Sequence, residues 1–396
     1  MRRLSPARPS LTIVAFWLAA AGARASPSAA GESLRYDVRA ELGGEFDDNA
    51  HRAEIVQGAE NQPRVIASPL ARAAIGGRLA DVVARGQQVS VSATLAGKLF
   101  TSSDARTEDV AIADSSARWR LQLGQRTGAA LQALYYEAFQ RQGGDALAAA
   151  ERRDFRSLTP ALLVDRRLSD RVTLIAGAAY RWFVFKSDLD FDFRAPGGSL
   201  DLRWFRDGSE DADAEGNGGG ADWEAGAGAS IEVRRFEGAA LPATGTVTAA
   251  TARRSDTFVL GHVEVTRVGA LLAGAGYALQ INRSNSYGET LTRHIAALRM
   301  AAALPFSLYL AARAEVIFAH YREPVAVGRA MTTGQLLSID DENRSSLRVD
   351  LSRTLSPRWL LLARYTIYAN EIGVSSAVAN YRRQTAMLSI AFTFEH

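Results

Sequence analysis

The 396-residue sequence contains no cysteine and only two lysines, Lys98 and Lys186. Without cysteine there are no disulfide staples, no thiolate metal centre and no residue to carry the lipid of a bacterial lipoprotein. Stability must come from packing or from a closed hydrogen-bonded sheet. Long apolar runs are also lacking. The segment Leu11–Ala23 (LTIVAFWLAAAGA) is shorter than the roughly 20 residues of a membrane-spanning helix, and no other segment approaches one. Nor is there a real excess of charge. The chain has 46 basic and 43 acidic residues, but Arg2, Arg3, Arg8 and Arg24 fall in the first 25 residues, which hold no acid. The remaining 42 basic residues are matched by the 43 acidic ones, so there is no electrostatic case for nucleic acid as a partner.

What is present begins with an export signal. Arg2, Arg3 and Arg8 form its charged region, Leu11–Ala23 its apolar core, and Ala23-Arg24-Ala25 a small-x-small cleavage site. Residues 1–25 are thus expected to be removed, leaving 26–396 as a single domain.

That domain is built from alternation. In LRYDVRAELGGEFDDN (34–49), Leu34, Tyr36, Val38, Ala40 and Leu42 are apolar, while Arg35, Asp37, Arg39 and Glu41 are all charged. A strand repeats its side-chain direction every two residues, so this segment has an apolar face and an ionic face. The same period recurs in sixteen segments, from about 34–46 to about 381–394, with turn residues between them. Segments 64–79 and 154–166 are weaker, because Pro69 and Pro160 each remove a ladder hydrogen bond. The connections alternate too. LGQR, LSDR, RVGA, ALPF and LSPR are tight, whereas 47–63, 140–153, 237–253 and 321–343 are long. The acidic, glycine-rich stretch 207–221 is a long, flexible loop at a place where a tight turn is expected.

Trp119, Trp204, Trp223 and Trp359 fall toward the short-turn ends of their segments and Trp182 toward a long-loop end, all on apolar parity. Amphipathic rings at two rims of an apolar band mark a membrane interface. In lipid every backbone polar group must be paired internally, so a β structure there must close on itself. The expected fold is therefore all-β: a transmembrane, antiparallel, up-and-down β-barrel of about sixteen strands (14–18). Short periplasmic turns and long extracellular loops connect them, and the barrel is wide enough for an aqueous bore.

The chain resembles Gram-negative outer-membrane β-barrels in its signal, its repeated strands and its last segment, MLSIAFTFEH. Such proteins end on an aromatic preceded by alternating apolar residues, and Ile390, Phe392 and Phe394 match that insertion strand, with Glu395 and His396 following. GGEFDDNA at the end of the first segment is similar to a loosely defined group of β-barrel porins, some of which look like barrels encoded with polysaccharide-export systems. The resemblance implies outer-membrane lipid, lipopolysaccharide and the barrel-insertion machinery as partners. It also implies periplasmic polysaccharide-export proteins, and export of a polysaccharide or similar polymer as the leading function. The alternatives are a general or anion-leaning diffusion porin and a barrel that displays surface loops as an adhesin.

Parity assigns to the bore Arg35, Asp37, Arg39, Glu41, Arg72, Arg118, Arg120, Arg181, Arg203, Glu232, Arg234, Glu264, Arg293, Arg299, Arg313, Glu315, Arg348, Asp350, Arg364 and Arg383. An arginine-rich wall favours anions or sugars that hydrogen-bond to guanidinium groups, or it pairs internally with the carboxylates and stiffens the barrel. An enzyme is not expected. His294 and His320 face outward near Ser284 and Ser286, but no spacing specifies a nucleophile–base pair with an orienting group. No cofactor or metal is expected either. Asp211, Asp213, Glu215 and Asp222 imitate the start of a calcium loop, yet NGGGA fills the intervening positions and no helices flank it.

Overall fold

The computed structural model describes residues 34–51, 55–56, 64–140, 154–186, 189–206, 222–240, 252–323, 344–369, 379–380 and 382–395. The expected export signal, the loop 207–221 with its calcium-like acids Asp211, Asp213 and Glu215, and His396 lie outside these residues.

Sixteen strands form one closed sheet. In chain order they are β1 (Arg35–Asp47), β2 (Ser68–Ala84), β3 (Gln87–Phe100), β4 (Val110–Gln122), β5 (Thr127–Gln140), β6 (Phe155–Arg167), β7 (Val172–Phe185) and β8 (Phe193–Arg206). The second half comprises β9 (Asp222–Ala239), β10 (Arg253–Val268), β11 (Leu271–Ser284), β12 (Leu291–Leu304), β13 (Leu308–Tyr321), β14 (Ser345–Ser356), β15 (Trp359–Ala369) and β16 (Arg382–Glu395). Each pairs antiparallel with its chain neighbour, and β1 pairs with β16 over the eleven partners from Asp37↔Glu395 to Asp47↔Thr385. Closure leaves no free sheet edge, which is the requirement for a β structure in hydrocarbon. A two-residue ladder between Ile55–Val56 and Ala379–Asn380 lies apart from the barrel sheet. Short 3₁₀ turns occur at Ser103–Glu108 and Leu189–Phe191.

The inner and outer faces follow from burial. A single-layer closed sheet has nothing packed on its convex side, so its buried side chains must converge on the concave one. Asp47, Asp256 and Asn282 are fully buried, and Arg293 and Ile317 nearly so. All are joined by register to one parity of the sheet. The opposite parity carries Leu42, Ile75, Leu95, Leu131, Leu162, Leu200, Ile231, Val263, Leu298 and Leu388, all exposed. A continuous belt of exposed large aliphatic side chains on every side would aggregate in water and is what lipid requires.

Three departures from the sequence pattern have local causes. β2 runs to Ala84 rather than ending near 79, because its hairpin with β3 turns only at Arg85-Gly86, with Gly86 at φ +75° and a bulge between Asp81 and Ala84. β8 begins at Phe193 rather than 190, because the preceding residues wind into the 3₁₀ turn. Pro160 sits where the β6–β7 register skips from Leu158 to Ala161, the missing donor opening the ladder. Pro69 is accommodated at the start of β2, where its carbonyl accepts from the Thr101 N–H and hydroxyl.

Candidate functional site

The inner wall is largely ionic because most strands repeat the alternation of β1, β5 and β11 being the strands whose inward residues carry no charge. Register places all twenty charged residues assigned by parity on this face, and Trp119, Trp182, Trp204, Trp223 and Trp359 on the other. Ile390, Phe392 and Phe394 also face outward, and Phe392 packs on Trp359 with ring centroids 5.1 Å apart. Trp182 shares the long-loop rim with Phe46, Phe139 and Phe318, while Trp119, Trp223 and Trp359 stand at the short-turn rim.

The charges are not evenly arranged. At the seam, Arg72 Nη1 reaches Glu45 at 3.1 Å, Lys98 Nζ reaches Glu45 at 2.9 Å, and Arg72 Nε lies 3.6 Å from Glu41. Arg39 lies 3.4 Å from Glu41. Arg383 Nε donates to both Asp47 oxygens at 2.9 and 3.0 Å. Apart from Arg39, which is half exposed, these residues are largely buried, so they knit β1, β2, β3 and β16 together rather than offering free charge to the bore.

A second knot lies toward the long-loop end of β9–β11. Arg254 Nη2 donates to Asp256 at 2.7 Å and to Glu289 at 3.0 Å; Asn282 Nδ2 donates to Asp256 at 3.2 Å and to the Glu289 carbonyl at 2.8 Å. Glu289 precedes β12, outside the spanning strands. Burial pushes its carboxyl up to about 7, with Asp256 adding to the rise and Arg254 opposing it. Nearby, Arg181 and Arg234 each lie 3.5 Å from Glu232, and the Arg234 guanidinium covers the Phe258 ring at 4.3 Å. Arg254 covers Phe236 at 4.2 Å. Tyr136, Phe155, Phe183, Phe193 and Phe236 continue as a buried aromatic row across β5–β9, with centroids 4.7–5.3 Å apart.

The third arrangement is open. Arg299, Arg313 and Arg348 are direct cross-strand partners on β12, β13 and β14, and their side chains are 52%, 61% and 32% exposed. Their carboxylates stand to one side: Glu264 is 3.6 Å from Arg299, Glu315 is 2.9 Å from Arg313, and Asp350 is 2.8 Å from Arg348 and 2.6 Å from Arg364. Directly opposed like charges weaken a sheet, so the row has an energetic cost that the flanking acids only partly relieve. Elsewhere on the wall Arg120 pairs with Asp165 at 2.8 Å and Arg203 with Glu224 at 3.9 Å. Arg118 has Ser90 and Gln132 as cross-strand partners, with no carboxylate within ion-pair distance among the described residues.

Parity in the sequence also pointed to residues it was not used for. Glu45, Asp47 and Lys98 continue the ionic rows of β1 and β3, but Gly43-Gly44 interrupts the first row at the point where it continues. Arg254 and Asp256 precede the clean part of their segment. The inward phenylalanines had no visible signal, because apolar residues on ionic parity read as noise. His294 and His320 both face outward; the Tyr277 hydroxyl lies 2.6 Å from His294 Nδ1. Ser284 and Ser286 bond to backbone groups of their own loop: Ser284 Oγ accepts from the Ser286 N–H, and Thr290 Oγ1 holds the Ser284 N–H and carbonyl. No serine stands against either histidine among the described residues. No group of three or more His, Cys, Asp or Glu there has metal-binding geometry.

No family model matches the chain, and no curated protein matches it. Among solved structures it is similar to OccAB1 of Acinetobacter baumannii, at 8% identity over 91% of this chain and 96% of that one, with a TM-score of 0.49. It is also similar to OmpF of Salmonella typhi (9% identity, 91% and 97% of the two chains, TM-score 0.46). A third is OprB of Pseudomonas putida (12% identity, 91% and 94%, TM-score 0.45).

Proposed function

We propose that the protein is an outer-membrane diffusion channel with a preference for small anions. The row Arg299–Arg313–Arg348 carries this reading. It sets three arginines side by side, Arg299 and Arg313 exposed and Arg348 partly so, on the inner wall of a barrel with the strand number that leaves an aqueous bore. Along the inner wall as a whole, arginines and carboxylates are nearly balanced, so the bias of the local potential toward anions at low salt comes from the row itself. The exposed lipid belt and the rim aromatics support the outer-membrane location. Export of a polysaccharide or similar polymer, the leading expectation from the sequence, draws no support from the fold or the comparisons. The open, charged wall suits diffusion of small solutes better.

The test is the reversal potential of the refolded mature protein in planar bilayers under a potassium chloride gradient. We expect an anion preference that shrinks or reverses in an Arg299→Gln/Arg313→Gln/Arg348→Gln variant and weakens in high salt. A folded barrel that does not conduct, or that prefers cations with the row intact, would sink the reading.

A further inference from the structure

In the short-turn half of the inner wall, four inward positions are glycine: Gly226 and Gly228 on β9, and Gly274 and Gly276 on β11. Side chains from the flanking strands lie over this bare floor. Gly228 is the direct cross-strand partner of both Asp201 on β8 and His262 on β10. A Cβ at Gly228 would collide with Asp201 Oδ1 and would lie 2.6 Å from His262 Cε1. With no side chain between them, the two residues meet across a whole strand, His262 Nε2 lying 3.5 Å from Asp201 Oδ1. Each is about one-third exposed, on the face that lines the bore. Among the described residues, Asp201 has no other cationic partner within ion-pair distance. The next inward position on β10 is Glu264, 3.6 Å from Arg299, the first member of the arginine row. Arg203 on β8 and Glu224 on β9 stand 3.9 Å apart beside them.

Histidine is the side chain whose ordinary change of charge falls between pH 5 and 8. The charged groups around His262 are Asp201 across β9, Glu264 at the next inward position of its own strand, and Arg203, Glu224 and Arg299 beyond them. On the β11 side its neighbours are Ala278 and Gln280, which do not titrate. With His262 neutral, this group holds three carboxylates (Asp201, Glu224, Glu264) and two guanidinium groups (Arg203, Arg299), a net charge of −1. With His262 protonated the group is balanced. A carboxylate left without its cation at this level of the wall opposes the potential of the neighbouring row, because fixed charges on a bore set the sign of the ions it admits. We infer that His262 is a specificity-determining residue of the bore. Protonated, it neutralises Asp201 and leaves the arginine row to draw anions; neutral, it exposes a carboxylate that repels them. The inference rests on the diffusion-channel reading above and adds to it a dependence on pH.

The experiment is the reversal potential of the full mature barrel in planar bilayers, under a dilute potassium chloride gradient, at about pH 5 and about pH 8. Proteins compared are the unchanged chain, His262→Gln, Asp201→Asn and Glu289→Gln, each first shown to run as a folded, heat-modifiable band. Glu289 is included because its carboxyl also changes charge in this range, in the knot toward the long loops. The chloride-to-potassium permeability ratio of the unchanged chain is expected to be about two- to threefold higher at the lower pH, the effect of one unit charge acting through water over several ångströms. His262→Gln should lose most of that difference, and Glu289→Gln should keep it. Asp201→Asn should show the raised ratio already at the higher pH, because it removes the carboxylate that His262 otherwise covers. A ratio independent of pH in the unchanged chain, or an equal pH difference in His262→Gln, would overturn the inference and leave the channel reading standing. A folded barrel that passes no current would overturn the channel reading and this role of His262 with it. If His262→Gln fails to fold, Asp201→Asn decides: a ratio at the higher pH equal to that of the unchanged chain would overturn the inference.

Discussion

Asp47 on the first strand and Arg383 on the last are 336 residues apart in the chain, yet Arg383 Nε donates to both carboxylate oxygens of Asp47 within a fully buried pair. The same corner is fastened three more times. Asp48 Oδ1 accepts from the Gln384 N–H at 2.6 Å, the Asp48 N–H donates to the Gln384 carbonyl at 3.1 Å, and Asn49 Nδ2 donates to the Arg382 carbonyl at 3.1 Å. The pair therefore sits where a linear chain must find its own beginning in order to close.

Removing one member should cost far more than removing both. Asp47→Ala leaves a buried guanidinium without its carboxylate, and breaking a buried pair in this way costs about 3–5 kcal/mol. Asp47→Leu/Arg383→Leu replaces the pair with apolar volume and should recover most of that loss, since such replacements are often neutral. Urea unfolding of the barrel from liposomes measures both. Equal destabilisation by the single and double variants would mean that the pair adds nothing beyond the volume it fills.

The neighbouring glycines give a paired test of the same seam. A Cβ at Gly43 would lie 2.5 Å from the Leu388 carbonyl oxygen and 2.9 Å from Ser389 Cα, so the backbone of β16 would have to move. At Gly44 a Cβ would meet nothing within 4 Å. Gly43→Ala should destabilise the barrel by about 1–3 kcal/mol, the range for overpacking. Gly44→Ala should stay within about 0.5 kcal/mol of the unchanged protein. The temperature at which the folded band is lost on semi-native gels separates the two. Similar shifts for both would contradict a close approach at this seam.

These seam contacts show where the sequence stops being readable. The sixteen strands could be found because lipid imposes one apolar face on each of them, and Val89, Val91, Leu95 and Leu99 display that face without reference to any partner. The strand number, the pairing of neighbours and the orientation of the twenty inner charges follow from the same one-dimensional period. Contacts between strands do not. Arg299, Arg313 and Arg348 were each legible as inward, but their alignment depends on register, which is set by turn geometry and closure rather than by parity. The inward phenylalanines were illegible for the converse reason. A rule that assigns apolar residues to lipid has no place for Phe155, Phe183 and Phe193 stacked on the inner wall.

Glu289 provides a pH test of the knot above β11. Its carboxyl is raised to about 7 in the folded protein, from 4.5, by burial first and by Asp256 second, against the pull of Arg254. Between those values the folded chain holds a proton that the unfolded chain releases. Stability from this residue is therefore fully present below about pH 4.5 and is lost as pH rises through about 7, the sign that follows when the native state binds more protons. The groups facing it are Arg254 at 3.0 Å, Asp256 through the shared Arg254 Nη2, and Asn282, which donates to its backbone carbonyl. Glu289→Gln keeps the volume and the Asn282 contact but cannot ionise. Its urea midpoint should vary less between pH 4 and 8 than that of the unchanged barrel, with the difference developing between about 4.5 and 7. A second consequence distinguishes proton release from simple loss of a contact. At pH 4, where the carboxyl is largely protonated in both the folded and the unfolded chain, the two proteins should have nearly equal midpoints, and at pH 8 the glutamine variant should be the more stable. If the variant is instead weaker by the same amount at every pH, Glu289 is ionised throughout and acts as an ordinary partner of Arg254.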